Sequence, residues 1–231
     1  MAETESYDRR GSGGPSPASG EVARARAAGR RLEAWFAEAG REFPWRRWRD
    51  LYRVAVTEVL LQRTQAPVVA AFVPAFLQKY SGWEAIAFSS VEDLERALSP
   101  LGLQRRRART LQDLALMMLK RRELTGKLPG FGQYVGRAVS VTLRGQRVAM
   151  VDANFVRVLR RVFGGRWMSD YRYDRRLQGL AQAVVDGASD SRAVNWAVLD
   201  LGATVCKPRN PACARCPLRS ACDWANSQEG P

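Results

Sequence analysis

The sequence predicts an all-α protein. Apolar residues recur at intervals of three and four along most of the chain, and few segments alternate apolar with polar residues. Helix start and stop signals also flank the apolar stripes. With 231 residues, seven Trp and 46% hydrophobic residues, the chain is long enough for one large domain or two small lobes around a sizeable core.

The first predicted helices follow a polar tail. Residues 1–20 are rich in Gly, Ser and Pro and lack periodicity, so we expect them to be disordered. Apolar faces predict a helix over 22–40, which ends at a glycine, and a second over 51–63. Pro67 suits the first turn of a third helix. Ser90 begins a capping box that predicts the fourth.

Three more apolar stripes predict helices in the rest of the chain. Residues 111–118 place apolar side chains at i, i+3, i+4 and i+7. Residues 155–162 repeat this arrangement, and residues 194–201 form a further apolar helix. Such stripes are expected to face a shared core.

The charge of the chain indicates a polyanionic partner. There are 37 Lys and Arg against 23 Asp and Glu, which gives a net charge of +14. A globular protein this basic usually binds nucleic acid. The absence of His excludes a Ser-His-Asp triad, a His metal ligand and a His general base. Acid–base chemistry must therefore use Asp, Glu, Tyr, Lys or water.

The sequence also predicts where the protein works. It contains no apolar run of about 18 residues and no signal peptide, so we expect no membrane contact. Its few cysteines lie together instead of spreading across the chain as a disulfide framework would. A reducing compartment, the cytoplasm with its nucleoid, is the expected location.

The four cysteines form a candidate metal centre. They are Cys206, Cys213, Cys216 and Cys222, with the spacing C-x6-C-x2-C-x5-C. Four thiolates this close can hold either a [4Fe–4S] cluster or a structural zinc ion. Only one pair has the CxxC spacing, whereas a zinc ribbon usually has two. The spacing therefore argues against a zinc ribbon, and at this point an iron–sulfur cluster and a structural zinc ion are the two competing interpretations.

A glycine-rich turn over 128–132 lies between two helical stretches. Its sequence is LPGFG, in which Gly130 and Gly132 permit positive φ and a close approach by another backbone. The next helix is expected to begin near Gln133, which would direct free N–H groups into the turn. Such a turn suits a DNA phosphate, although this pattern alone more often marks an ordinary turn.

Two carboxylates are candidates for chemistry. Asp152 opens the helix over 153–162, where it is expected to be an N-cap; a capping carboxylate has a fixed orientation and can also face a reaction centre. Glu58 lies within the apolar stretch VAVTEVLL, where an acid is unfavourable unless it has a partner or a role. The alternative for Glu58 is a solvated helix surface.

Taken together, these motifs resemble the helix-hairpin-helix DNA glycosylases. The similar stretches are LPGFGQYVGRAV, VDANFVRVLRRVFGG, FPWR, TEVLLQRTQ and the cysteine quartet, which span about 33–222. The endonuclease III and adenine glycosylase (MutY) branch is the most similar. Within it, the sequence looks most like the thymine-DNA glycosylases that act on T or U opposite G.

The resemblance implies two helical lobes, with the DNA groove and base pocket between them. A six-helix barrel lobe is expected over 46–152 and includes the turn over 128–132. The second lobe is expected from 21–45 and 153–231 and contains the cluster loop over 206–222. A [4Fe–4S] cluster is the implied cofactor, and double-stranded DNA with a mismatched or damaged base is the implied partner of a monomer.

The resemblance also implies roles for individual residues. Asp152 matches the catalytic aspartate, which would stabilise a cationic sugar and orient water. Tyr134 stands where endonuclease III has its Schiff-base lysine, so the resemblance implies a glycosylase without lyase activity. The alternative for Tyr134 is a plain core aromatic residue; as a site residue it would contact the flipped base. Glu58 matches an acid in the base pocket.

Further matches concern DNA contact. Arg63 follows the helix that carries Glu58, at a position where relatives insert a side chain into the duplex. Leu103 matches a wedge on the opposite strand. Leu128, Gly130, Gly132 and Gln133 would bind phosphate. The arginines over 105–109 are expected to contact phosphate or to be solvated.

Three functions fit these observations. The first is a glycosylase for T or U opposite G. The second is an adenine glycosylase; it is weakened because the chain ends soon after Cys222, without a domain to read 8-oxoguanine, and has Tyr134 in place of a common Ser. The third is a non-catalytic DNA-binding or redox-sensing iron–sulfur module.

Overall fold

The computed structural model describes residues 13–121 and 132–228, in which every regular element is helical. This confirms the all-α prediction. In this part of the chain, no helix is both long enough and apolar enough to cross a bilayer. The α-helices are α1 (Ser19–Ala39), α2 (Leu51–Leu61), α3 (Ala66–Lys79), α4 (Trp83–Ala87), α5 (Val91–Leu98), α6 (Gln104–Arg121), α7 (Gln133–Arg144), α8 (Ala153–Phe163), α9 (Arg175–Gly187), α10 (Ser191–Thr204) and α11 (Asp223–Ser227).

Local sequence signals determine several helix ends. Gly40 caps the C-terminus of α1 in an extended conformation, so its freedom to adopt positive φ is not used there. Pro67 lies in the first turn of α3, as expected. The Ser90 side chain accepts a hydrogen bond from Asp93 N at 3.1 Å at the start of α5. Helix α1 begins at Ser19, so the end of the segment expected to be a tail, 1–20, is helical.

The chain divides into two compact units. The terminal unit comprises Met1–Arg41 and Arg147–Pro231, and the central unit is Glu42–Gln146. The sequence predicted that the lobes meet after residue 45 and after residue 152. In the structure, the units meet after residue 41 and after residue 146, a few residues earlier. The difference matters at Asp152, which belongs to the terminal unit and not to the central stretch.

The terminal unit contains α1 and α8–α11, and its core is built on the predicted stripe of α8. Phe155, Val158, Leu159 and Val162 are all at least 96% buried. Helix α1 packs closely along α9, because a Cβ at Gly29 would lie 2.0 Å from the carbonyl oxygen of Val184. Any side chain at that position would therefore push the two helices apart.

The central unit contains six α-helices in its described part, α2–α7. Helix α6 packs against α2, α4 and α5, and its stripe of Leu111, Leu114 and Ala115 is fully buried. Helix α2 packs against α3 and also against α7. The α2–α7 contact has its own small apolar cluster around Val54 and Val135, against which the candidate site residue Tyr134 packs.

Candidate active site

Asp152 is the N-cap of α8, which confirms that expectation. Its Oδ1 accepts a hydrogen bond from Phe155 N at 2.8 Å, and its Oδ2 accepts one from Asn154 Nδ2 at 2.8 Å. Both carboxylate oxygens are therefore fixed, while the residue keeps part of its surface exposed. Burial raises the pKa of Asp152 above its ordinary value, and the two hydrogen bonds and nearby Arg157 oppose that rise.

A chain of hydrogen bonds connects Asp152 to the cysteine loop. Asn154 Oδ1 accepts from Arg157 Nη2 at 2.8 Å, and Arg157 Nε donates to the carbonyl oxygen of Cys206 at 2.8 Å. Arg157 Nη2 also donates to Gly202 O at 2.7 Å. A Cβ at Gly202 would lie 2.6 Å from Asn154 Cβ, so only glycine leaves room for this arrangement. Sequence periodicity does not reveal Asn154 or Arg157.

Glu58 is buried on α2, so the alternative of a solvated surface residue is wrong. Only 8% of the residue is exposed, and its Oε2 has no hydrogen-bond partner among the described residues. Burial raises the pKa of Glu58 to about 8. The side chain is therefore mostly protonated at neutral pH, which gives it one hydrogen-bond donor and one acceptor.

Tyr134 is the second residue of α7 and is half-buried. It packs against the apolar cluster that Val54, Val135 and Val139 form between α7 and α2. This position agrees with Tyr134 as a core aromatic residue, because it packs against the cluster. It also agrees with Tyr134 as a residue that contacts the flipped base, because part of the residue is exposed. Glu58 and Tyr134 thus lie on two helices that pack together, and Asp152 lies in the other unit.

The described residues include only the end of the glycine-rich turn. Leu128 and Gly130 lie outside the described residues, whereas Gly132 and Gln133 are exposed at the N-terminus of α7. Gly132 has φ −71°, so the freedom of glycine to adopt positive φ is not used at this residue. A Cβ at Gly132 or at Gly136 would meet no atom of the described chain within 4 Å. Packing against the described residues therefore does not require glycine at either position.

Arg63 and Leu103 share an unusual backbone conformation. They have φ values of 57° and 51°, in the left-handed region that side chains other than glycine rarely adopt. Both are exposed, and 45% of Leu103 is accessible although the residue is apolar. A strained backbone at exposed loop residues often marks a functional position.

Arg107 differs from the expectation that it contacts phosphate or solvent. It is only 3% exposed, while Arg105, Arg106 and Arg109 on the same helix are exposed. Its position in α6 directs the side chain back toward the loop before that helix, where carbonyl oxygens accept its hydrogen bonds. The run of arginines in the sequence contains no signal that separates this residue from its neighbours.

The four cysteines line one cavity in the terminal unit. This cavity is otherwise lined mainly by apolar side chains, among them Val158, Val162 and Leu201. Arg161 Nη1 donates a hydrogen bond to Cys206 Sγ at 3.3 Å. In residues 13–121 and 132–228, no three His, Cys, Asp or Glu side chains are arranged to hold a metal ion.

The chemistry of the thiols fits a soft metal ligand set. Burial raises the pKa of the Cys216 thiol to about 11, and the three other cysteines add to that rise. Four thiolates around one cavity would repel one another without a cation to neutralise them. A hydrogen bond from Arg161 to sulfur also matches the way proteins stabilise cluster ligands.

Comparison with known proteins places these features in context. The family model described as HhH-GPD superfamily base excision DNA repair protein matches residues 56–182. The chain is 35% identical over 192 residues to the thymine/uracil-DNA glycosylase of Methanothermobacter thermautotrophicus. This match covers 80% of this chain and 86% of that protein. The chain is also 35% identical over 208 residues to the human adenine DNA glycosylase, but covers only 38% of it.

Solved structures agree with the sequence comparisons. A thermostable thymine-DNA glycosylase superposes with a TM-score of 0.79 at 30% identity, over 89% of this chain and 98% of that one. Endonuclease III, trapped in a covalent complex with DNA, superposes with a TM-score of 0.74 over 90% of this chain and 98% of that one. At 20% identity, the second match shows a shared fold.

Proposed function

The chain belongs to the HhH-GPD superfamily of base excision DNA repair proteins and is a DNA glycosylase, and we propose that it removes thymine or uracil opposite guanine without cutting the DNA strand. The observation that carries the proposal is the carboxylate of Asp152, with both oxygens fixed by hydrogen bonds at the start of α8. The pyrimidine substrate is supported by similarity to thymine/uracil-DNA glycosylases.

Asp152 acts on the sugar in this proposal. When the bond between C1′ and the base nitrogen breaks, its electron pair leaves with the base and the sugar becomes cationic. An ionised carboxylate held in a fixed orientation stabilises that charge without reorganising. Water then bonds to C1′ and gives a proton to Asp152, which releases it to solvent, while the departing base anion takes up a proton from solvent. The products are free base and an abasic site.

Glu58 acts on the base. As a neutral acid, it can donate a hydrogen bond to a pyrimidine carbonyl oxygen, where negative charge develops as the base departs. Its burial makes this contact stronger than it would be in water. The role requires the protonated form, which a pKa of about 8 supplies at neutral pH.

Tyr134 accounts for the absence of strand cleavage. A lyase reaction begins with an amine that attacks C1′ and forms a Schiff base, and a phenol cannot form one. We therefore expect Tyr134→Lys to acquire strand-cleaving activity, because the new amine stands where the resemblance places the nucleophile of endonuclease III. Borohydride trapping of a protein–DNA adduct measures this gain.

The matched control for Tyr134→Lys is Tyr134→Phe, which keeps the aromatic ring and adds no amine. It is expected to yield no trapped adduct. Borohydride trapping of the unmodified protein would contradict the proposal, since it would reveal another amine nucleophile.

Contacts with duplex DNA are assigned to two sets of residues. Arg63 and Leu103 would enter the base stack, and their exposed, strained loops support this role. Gly132 and Gln133 would bind phosphate at the start of α7, where the described residues leave space beside Gly132 for a close approach. The net charge of +14 favours such binding. The proposed enzyme works on DNA in the cytoplasm as a monomer.

Cys206, Cys213, Cys216 and Cys222 would hold a [4Fe–4S] cluster. When bound, the cluster supplies a covalent link between the four cysteines of the C-terminal loop. Arg157 then connects that loop to Asn154, the partner of Asp152. The chain's own hydrogen bonds therefore offer a route by which the loop positions the catalytic carboxylate.

Metal analysis tests the cysteine assignment. We expect the purified protein to be brown and to contain about four iron atoms per chain, with little zinc. Cys216→Ser is expected to reduce the iron content and to destabilise the terminal unit, since a structural metal contributes to folding. A colourless, active protein with one zinc ion would overturn the cluster assignment.

A panel of duplexes tests the proposed substrate. Each duplex has the same surrounding sequence and contains one test site: a G:T, G:U, A:G or A:8-oxoG pair, or thymine glycol. Base release from each duplex is measured under single-turnover conditions. We expect release from G:T and G:U, with strand breaks only after alkali. If base is released only from the A:G or A:8-oxoG duplex, thymine and uracil are not the substrates. Tight binding without release from any duplex would favour a non-catalytic module.

Adenine is the second candidate substrate. The human adenine DNA glycosylase and the thymine/uracil-DNA glycosylase share the same 35% identity with this chain, although the chain covers only 38% of the former. A neutral Glu58 carboxyl can pair with N1 and the amino group of adenine as readily as with N3–H and O4 of thymine. The A:G duplex in the panel separates the two candidates.

A further inference from the structure

The guanidinium of Arg107 lies between two loops of the central unit. One loop follows α2 and contains Arg63, and the other precedes α6 and contains Leu103. Arg107 is 3% exposed, so its charge is removed from water and must be compensated by hydrogen bonds. The acceptors come from both loops, which sets this arginine apart from the exposed ones beside it.

In the first loop, Arg107 binds residues on either side of Arg63. Nη2 donates to the carbonyl oxygen of Gln62 at 2.6 Å and to the hydroxyl of Thr64. It also donates to Leu60 O at 3.2 Å. These carbonyls lie at the C-terminal end of α2, where the helix supplies no amide partners and a cation is favourable.

In the second loop, Arg107 binds the two residues before Leu103. Nη1 donates to Leu101 O at 2.8 Å and to the carbonyl oxygen of Gly102. Gly102 has φ 69° and Leu103 has φ 51°, so two consecutive residues have positive φ. A backbone in this conformation persists only when its surroundings hold it there.

We propose that Arg107 is a positioning residue that keeps both loops in one arrangement, so that Arg63 and Leu103 enter the DNA together. The inference rests on the proposed function for the role of those two side chains. The geometry favours arginine over lysine, because a planar fork with several donors can serve both loops at once. A lysine ammonium offers its three donors from a single point.

Amide hydrogen exchange tests the positioning independently of activity. We expect Arg107→Lys to accelerate exchange by about tenfold or more in peptides that cover 60–65 and 100–104, with the rest of the central unit unchanged. The matched control is Arg96→Lys, an exposed arginine on α5 in the same unit. Wild-type exchange in both loops, or faster exchange throughout the unit, would overturn the inference.

Activity tests whether Arg107 acts through the two inserted side chains. Single-turnover uracil release from a G:U duplex is expected to fall about a hundredfold in Arg107→Lys. In a protein that already carries Arg63→Ala and Leu103→Ala, the same change should have little further effect, because its targets are gone. An equal loss in both backgrounds would mean an unrelated structural role and would overturn the inference.

A milder variant covers the case in which Arg107→Lys does not fold. Thr64→Val removes one acceptor and preserves the size of the side chain. It is expected to accelerate exchange a few-fold at 60–65 and also at 100–104, because the two loops share one guanidinium. Faster exchange at 60–65 alone would contradict the coupling. If no duplex releases its base, the proposed function is wrong. Hydrogen exchange still tests whether Arg107 holds the two loops in place, because that measurement does not depend on activity.

Discussion

Asp152→Asn is expected to reduce base release by about a thousandfold, while the affinity for mismatched DNA stays within a few-fold of the unchanged protein. Asparagine can still cap α8 and accept the hydrogen bond from Phe155 N, so the fold should survive. What is lost is the negative charge beside the cationic sugar and the acceptor for the proton of water. Single-turnover release and equilibrium binding to the same duplex measure the two effects.

Asp190→Asn is the matched control for this prediction. Asp190 caps α10 in the same unit and accepts a hydrogen bond from Arg192 N at 2.8 Å, so the chemical change and the structural setting are alike. Base release in this variant should equal that of the unchanged protein. Full activity in Asp152→Asn, or equal losses in both variants, would remove Asp152 from the mechanism.

The pH dependence of the reaction adds a second measurement on Asp152. Burial raises its pKa above the ordinary value, and the ionised form is required. Base release should therefore decline as the pH is lowered through that raised pKa, at a higher pH than a solvated aspartate would allow. A rate that stays constant down to pH 4 would contradict this role.

Glu58→Gln is expected to reduce base release about a hundredfold at pH 7, because an amide is a far weaker hydrogen-bond donor to a developing anion than a carboxylic acid. The unchanged protein should also lose activity above about pH 8, as Glu58 ionises. The variant has no group to ionise there, so its remaining activity should not show that decline. Rate profiles between pH 6 and 10 measure both effects.

Although Glu58→Gln is expected to lower activity, it should make the folded protein more stable at high pH. The folded pKa of Glu58, about 8, lies above the ordinary value of 4.5, so the folded state holds a proton that the unfolded state releases. Stability is therefore retained below pH 4.5 and declines as the pH rises to 8, by up to about 5 kcal/mol. Glu58→Gln should not show this decline, and thermal unfolding at pH 5 and pH 9 measures the difference.

Glu92→Gln is the control for both effects of Glu58. Glu92 is an exposed residue in the first turn of α5, in the same unit. Its replacement should leave the rate profile and the pH dependence of unfolding unchanged. If Glu58→Gln behaves like Glu92→Gln, the buried carboxyl has no part in base release.

Helical periodicity and local capping predicted most of the fold. The stripes of α6 and α8 face the cores of their units because an apolar residue every three or four positions can bury only one helix face. Asp152 as an N-cap and Pro67 in a first turn follow from single-residue backbone chemistry, which depends little on distant parts of the chain.

Other features depend on contacts between residues far apart in sequence. Arg107 looks like its neighbours in an arginine run, and only the approach of the loop after α2 explains why it is buried. The pKa of Glu58 depends on which helices cover α2, and the link from Asp152 to the cysteine loop needs Gly202 beside Asn154. Backbone strain at Arg63 and Leu103 has no sequence signal either, since neither residue favours positive φ.

By itself, the sequence determined the helices, their caps, the basic charge and the cysteine spacing, because each depends on residues a few positions apart. Only the tertiary structure decided which polar side chains are buried and which loops are tied together. Those properties depend on what packs against a residue, and its neighbours along the chain do not specify that.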